Sequence, residues 1–281
     1  MKIIECPRDA LQGLPSFIPT EDKISYINTL LKVGFSVVDF GSFVSPKAIP
    51  QMRDTAEVLN GLTLSETKSK LLAIIANVRG ASEALSHKEI DYLGFPLSIS
   101  ETFQKRNTNK SIKEALQTVA EIQKMVKTTD RSLVVYISMG FGNPYGEAYD
   151  VGVVTQFINH LAALDVKTIS LADTIGVATP KLIHTIFSKA IRAFPNIEIG
   201  AHFHSMPQKT LEKIEAAYAA GCNRIDGAIG GMGGCPMAKD DLTGNLATEI
   251  ILAFCQQQDI KTSVDTKAFD KAVKMKNLLF G

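Results

Sequence analysis

Short, largely apolar runs rich in β-branched residues recur along this chain, each followed by a longer stretch of helical periodicity, and eight such units fill it from end to end. The expected strands are Lys2–Glu5, Ser36–Phe40, Leu71–Ala76, Glu89–Leu93, Leu133–Ser138, Thr168–Leu171, Glu198–Phe203 and Arg224–Ala228. Strands apolar on both faces belong in a parallel sheet covered by helices, because neither side of such a sheet meets water. Thr20–Val33, which opens on Thr-Glu, and Ile112–Val126, with apolar residues at helical spacing, read as amphipathic helices. No Pro/Gly/Ser linker or charge block divides the 281 residues. One closed (β/α)8 TIM barrel over residues 1–281 is therefore the expected fold, with its active site at the C-terminal ends of the strands; an open doubly wound sheet is the alternative.

Composition excludes several classes of function. Hydrophobic residues make up 45% of the chain, enough for a core, and 30 Lys+Arg against 29 Asp+Glu leave a formal charge of +1. Such a balance draws the chain toward neither nucleic acid nor an anionic membrane. No apolar run approaches the ~18 residues that cross a bilayer. The opening MKIIECPRD reads as a strand, with no signal peptide expected, and the four cysteines lack CxxC spacing. A reducing cytoplasm fits these features.

Chemistry-bearing residues gather at the ends of the expected strands. Strand one runs into Arg8-Asp9, which is either a loop-stapling ion pair or a guanidinium and carboxylate at the barrel mouth. Strand seven carries His202-Phe203-His204, and the strand period of two aims both imidazoles to one side. They are core histidines with separate partners or ligands of one metal ion. His87, His160 and His184 read as surface residues. Cys6, Cys222 and Cys255 read as inert packing residues in apolar surroundings. The run Gly230-Gly231-Met232-Gly233-Gly234-Cys235-Pro236 lacks a phosphate-binding pattern. It is either a mobile lid bearing a thiol or a flexible connection with an incidental cysteine. Asn245 either caps a helix at Leu246–Cys255 or completes an ion's coordination.

Taken together, Pro7–Gln12 (PRDALQ), Ser42–Lys47 (SFVSPK) with Pro50-Gln51-Met52, Asp173–Val177 (DTIGV) with Thr179-Pro180, the His202/His204 pair, the Gly-Gly-Cys-Pro loop and Gly244–Glu249 (GNLATE) resemble the 3-hydroxy-3-methylglutaryl-CoA lyases. These belong to the wider metallolyase barrels. The resemblance implies that Asp9, His202, His204 and Asn245 bind a divalent cation, Mg2+ or Mn2+. It implies that Arg8 supports the substrate carbonyl, that Cys235 acts from the lid, and that His202 and Cys235 are candidates for proton transfer. Glu5 and Asp39, at the ends of strands one and two, would be supporting or base-assisting carboxylates. Gln12, Ser42, Asp173 and Thr174 would line the mouth and contact the acyl-CoA substrate. Cleavage to acetyl-CoA and acetoacetate is the implied reaction, and a homodimer the implied assembly.

Two departures from the lyase pattern bear on these expectations. Asp39 stands where the family has Glu, so the shorter side chain is expected to fall short of its partner or to meet it through water. Ser205-Met206-Pro207-Gln208 stands where the family has Asp-Thr-Tyr-Gly, which predicts weaker metal binding and a reshaped acyl pocket. Phe95–Glu101 likewise lacks the small residues common there. Alternatives consistent with the sequence are a divergent lyase for another branched 3-hydroxyacyl-CoA, a Claisen-type synthase, and an inactive barrel serving as a binding scaffold.

Overall fold

The computed structural model describes residues 1–234 and 243–280. Eight parallel strands close on themselves in chain order: β1 Lys2–Glu5, β2 Val37–Ser42, β3 Lys70–Ile74, β4 Tyr92–Ser98, β5 Ser132–Ser138, β6 Thr168–Asp173, β7 Glu198–Phe203 and β8 Arg224–Gly227. The seam is the β1/β8 pairing, from Lys2 opposite Arg224 to Glu5 opposite Gly227. The chain is thus a single closed barrel and not an open sheet.

Alternation along each strand sorts side chains between two layers. Ile3, Val38, Leu71 and Val135 face outward into an apolar layer shared with the helices, while Ile4, Val37, Leu72, Val134 and Tyr136 fill the barrel interior. Five helices start where a side chain takes up a free backbone N–H group. Ser111 and Glu114 form a reciprocal capping box on Ile112–Val126, and Thr179 caps Pro180–Ala193 with proline in its first turn. On the first of these, Ala115, Val119, Ile122 and Val126 are buried, and burying a valine or isoleucine side chain contributes about 1.5–3 kcal/mol.

Several boundaries differ from the sequence expectation by a residue or more, and three of them bear on the site. The fourth strand starts at Tyr92 and runs to Ser98, beyond the Leu93 end expected from sequence. Pro96 suggests a break, yet it sits in register opposite Tyr136 inside the strand. The second strand continues to Ser42 through a bulge between Asp39 and Gly41. The extra residue restores an inward direction to Ser42, while Gly41 turns toward Thr55 on the helix side. Asp39 is accordingly within the strand and not at its end. Finally, the helix expected at Leu246–Cys255 occupies Thr248–Gln257 with Ala247 at its cap position, so Asn245 is no helix cap.

Candidate active site

The C-terminal mouth of the barrel opens into a cavity of about 400 Å3 lined by Arg8, Asp9, Gln12, Ser42, Thr174, His202 and His204, all singled out from sequence. Asn77, Phe103, Arg106, Asn107, Tyr136 and Ser138 also line it and were not foreseen. Phe103, Arg106 and Asn107 share one side of the helix Glu101–Thr108, Tyr136 and Ser138 sit on β5, and Asn77 caps the helix Val78–Leu85, so only the tertiary fold brings these three groups together.

Arg8 and Asp9 project from a single helical turn, Pro7–Leu11, that follows β1 directly, with Pro7 preset for its first position. Both are buried. The Arg8 guanidinium lies between two carboxylates: Nη1 donates to Asp9 Oδ1 at 2.6 Å, while Nη2 and Nε donate to Asp39 Oδ2 at 2.6 and 3.1 Å. The shorter Asp39 therefore reaches Arg8 directly, without the gap or water bridge expected of it. Asp39 does not line the cavity; it is a clamp on Arg8. Its full burial pushes its carboxyl up to about 6, against the pull of Arg8. For Asp9, burial also pushes upward, but Arg8, the two imidazoles and Asn245 outweigh it and hold the carboxyl below its ordinary range.

His202 ends β7 on the interior side, and His204 follows with its ring centroid 5.3 Å away. Each ring has one nitrogen occupied. His202 Nδ1 is 3.0 Å from Asp226 Oδ2 on β8, and His204 Nδ1 is 3.1 Å from the Thr243 carbonyl. Donation from Nδ1 leaves the Nε2 lone pair of both rings as the ligand group. Ser205 in place of an acidic residue thus does not strip the pair of orienting partners. The hydroxyl of Ser205 donates to the Met206 carbonyl, and none of Ser205–Gln208 lines the cavity, so the expected reshaping of the pocket there is not seen. Burial pulls the His202 pKa downward, but the Asp226 hydrogen bond and charge outweigh it, and the pKa is raised; burial and the neighbouring ring lower that of His204.

Asn245 arrives through pairing of the chain after the glycine loop with the end of β7. A bridge joins it to His204, and the Ser205 N–H donates to Gly244 O at 2.9 Å. Both amide protons are engaged, by Asp9 Oδ2 and by Met232 O at 2.8 Å each, leaving the lone pairs of its side-chain oxygen to accept a hydrogen bond or ligate a cation. The glycine loop is seated against the same group. Gly233 has φ +90°, and a Cβ there would lie 2.5 Å from the Asp9 carbonyl, so close approach requires glycine as much as the turn does. Cys235 lies outside the described residues.

Other expected site residues are placed differently. Asp173 turns from the cavity to accept from the N–H groups of Val177 and Ala178 and from Lys213 Nζ at 2.6 Å. Lys213, wholly buried, also donates to the carbonyls of Gly176 and His204, which ties the β6 loop to the second histidine. Glu5 does not line the cavity. It accepts from Ile229 N–H and from the Thr248 hydroxyl at 2.6 Å, pinning the start of the last barrel helix to β1, and burial pushes its carboxyl up to about 8. Cys6 belongs to the apolar interior cluster with Ile4, Val37, Leu72 and Val134, as expected, and lies close to His202 and Asp226 as well. Burial and the surrounding carboxylates keep its thiol protonated.

Ligand atoms of Asp9, His202 and His204 all lie within 4.8 Å of one another. One carboxylate, two imidazoles and an amide oxygen are a donor set for a divalent cation of intermediate hardness. The charge balance agrees, since among the described residues Arg8 is the one guanidinium or ammonium paired with the carboxylates of Asp9 and Asp39. The fold and this group define a class: a (β/α)8 barrel with a donor group that could hold a cation and an adjoining guanidinium at its mouth.

Comparison with known proteins carries this further. The HMGL-like family model matches residues 2–275. Hydroxymethylglutaryl-CoA lyase YngG of Bacillus subtilis is 35% identical over 268 residues, spanning 95% of this chain and 89% of that protein. The cytoplasmic 3-hydroxy-3-methylglutaryl-CoA lyase of Rattus norvegicus is 32% identical, over 94% of this chain and 77% of its own. Among solved structures, the HMG-CoA lyase of Bacillus subtilis superposes with a TM-score of 0.92 at 35% identity, covering 99% of this chain and 93% of that one. An HMG-CoA lyase from Acinetobacter baumannii in complex with coenzyme A and 3-methylmalate gives a TM-score of 0.91 at 32% identity, covering 99% and 90%. The chain belongs to the HMGL-like family.

Proposed function

We propose that this protein is a divalent-metal-dependent carbon–carbon lyase that cleaves 3-hydroxy-3-methylglutaryl-CoA to acetyl-CoA and acetoacetate. The observation that carries the reading is the convergence of Asp9, His202 and His204 within 4.8 Å at the mouth of the barrel, with Arg8 lining the same cavity. The relatives named as HMG-CoA lyases, one of them bound to coenzyme A, support an acyl-CoA substrate.

Asp9, the two imidazoles and the Asn245 oxygen would hold the cation, Mg2+ or Mn2+. Bound there, it would supply the positive charge that makes loss of the proton from a tertiary alcohol feasible near neutral pH. As the bond between C2 and C3 breaks, the C3 oxygen becomes the ketone of acetoacetate and the bonding pair moves onto the thioester as an enolate. Arg8 has five N–H groups, of which Nε–H, one on Nη1 and one on Nη2 are engaged by Asp9 and Asp39. Two remain, one on each terminal nitrogen, for the enolate oxygen. Asp39 and Asp9 fix the guanidinium plane, so these donors need no reorganisation as charge develops.

With Nδ1 engaged by Asp226, His202 offers only Nε2, so ligation and proton transfer are exclusive roles for it; its neighbours favour ligation. Protonation of the enolate carbon then falls to Cys235, proposed on its sequence motif alone. The decisive experiment is a direct assay of acetoacetate from hydroxymethylglutaryl-CoA after chelation and again after Mg2+ or Mn2+ is restored. Metal-dependent release in the wild type, absent in His204→Ala, is the expected outcome. No release from a folded, Mn2+-binding protein would overturn the substrate assignment.

A further inference from the structure

Beneath the ligand group the barrel interior holds a second polar layer that the reaction does not use. The strand register sets Tyr136 opposite Ser170 and Ser170 opposite Gly200; with Ala201 opposite Ile225, Arg224 falls beside Gly200. One rung higher, His202 stands opposite Asp226. Arg224 is 1% exposed, and its contact with a side chain is a 3.5 Å approach of Nη1 to Glu198 Oε2 at the barrel floor. Its Nε and Nη2, Asp226 Oδ1, and the hydroxyls of Tyr136 and Ser170 are all buried without a hydrogen-bond partner. Gly200 provides the slot for the arginine stem, since a Cβ at that position would lie 2.8 Å from Arg224 Cδ.

A guanidinium and a carboxylate buried in one compartment are each costly alone and stabilise each other together. Internal water is bound where two to four polar partners converge, and here N–H and O–H donors meet a free carboxylate oxygen. We propose that Arg224 is a positioning residue for His202, acting through ordered water and Asp226. The guanidinium steadies Asp226 by way of Oδ1, and Oδ2 in turn holds the imidazole by Nδ1, so that Nε2 is presented to Asp9 and His204. The inference rests on the reading of His202 as a metal ligand. It differs from the supporting carboxylates expected from sequence, which were Glu5 and Asp39.

The test uses the full-length, metal-free protein, with Mn2+ binding followed by EPR and the His202 ring nitrogens by NMR of 15N-histidine-labelled protein. In the wild type, the proton of His202 is expected on Nδ1. Arg224→Met, with wild-type far-UV circular dichroism, is expected to weaken Mn2+ binding about tenfold or more and to leave His202 in a mixture of tautomers. Asp226→Asn should do the same. The double variant should bind no more weakly than Asp226→Asn alone, because both changes cut one chain of contacts. Arg224→Lys, which keeps the charge, should stay within about threefold of wild type.

Unchanged affinity and tautomer in Arg224→Met, or losses that add in the double variant, would overturn the proposal. Should Arg224→Met fail to fold, an Asp226→Asn protein with an unaltered His202 signal overturns it equally. A wild type that binds no Mn2+ sinks the ligand reading separately, while the His202 tautomer in the Arg224 variants still decides the present one.

Discussion

Replacing Arg8 with glutamine tests two consequences of one arrangement. The guanidinium engages Asp9 and Asp39 at 2.6 Å each, and all three groups are buried. From sequence, Arg8→Gln is expected nearly to abolish turnover and to leave the fold intact. The structure revises the second half, because the substitution leaves two carboxylates facing each other without a counter-charge. Breaking a buried pair from one side typically costs about 3–5 kcal/mol. For a domain of this size about 1 kcal/mol moves Tm by roughly 2–4 °C, so the metal-free variant should melt roughly 6–20 °C below wild type. Saturating Mn2+ supplies positive charge to the same carboxylates and should recover a larger share of Tm in the variant than it adds to wild type. Turnover should fall by about a hundredfold or more even when metal restores the fold, since donors to a developing oxyanion contribute about 3–4 kcal/mol. Differential scanning fluorimetry with and without Mn2+, beside the acetoacetate assay, reads both effects. A variant that melts within about 2 °C of wild type, or turns over at more than half its rate, would refute the role drawn for Arg8.

Three further outcomes follow from other parts of the site. Glu5, with a carboxyl near 8 when folded against the ordinary 4.5, binds its proton more tightly in the native state. Its contribution is complete below about pH 4.5 and is lost as pH rises toward 8, by about 5 kcal/mol at most. Urea unfolding between about pH 5 and 9 should show that decline in the wild type and a flatter profile in Glu5→Gln; parallel profiles would contradict it. Lys213→Met strands Asp173 and frees the carbonyls of Gly176 and His204, so chemical denaturation should register a loss of about 3–5 kcal/mol, and a change below about 1 kcal/mol would count against the tie. Gly233→Ala places a methyl group against the Asp9 backbone, and Mn2+ affinity should drop about tenfold, an effect that calorimetry would find missing if the loop can simply shift.

How much of this was legible beforehand depended on the range of the interaction concerned. The bounds of β1 and β7, the outward and inward faces of the strands and the capped start of Ile112–Val126 follow from neighbours a few residues apart, and local periodicity reports such neighbours. The histidine pair was visible for the same reason, since a strand repeats every two residues. Asp226 was within reach too: a carboxylate inside a short strand one place round the barrel from the histidines is a signal that strand-by-strand inspection passes over. Lys213, masked among the charges of an ordinary surface-looking helix, gave no sign of being buried beneath His204.

The amino-acid sequence by itself determined the alternation of strands and helices, hence a parallel barrel whose reactive residues gather at one end, because burial pattern and backbone geometry act over a few residues at a time. Closure decided the rest. With β8 laid against β1 and the chain after the glycine loop paired to β7, Asn245 reaches Asp9; the pairing of β7 with β8 brings Asp226 to His202, and that of β1 with β2 brings Asp39 to Arg8. Those contacts join residues far apart in the chain. Their geometry is set by the register of the closed sheet, including one bulge in β2, and not by any local preference of the residues themselves.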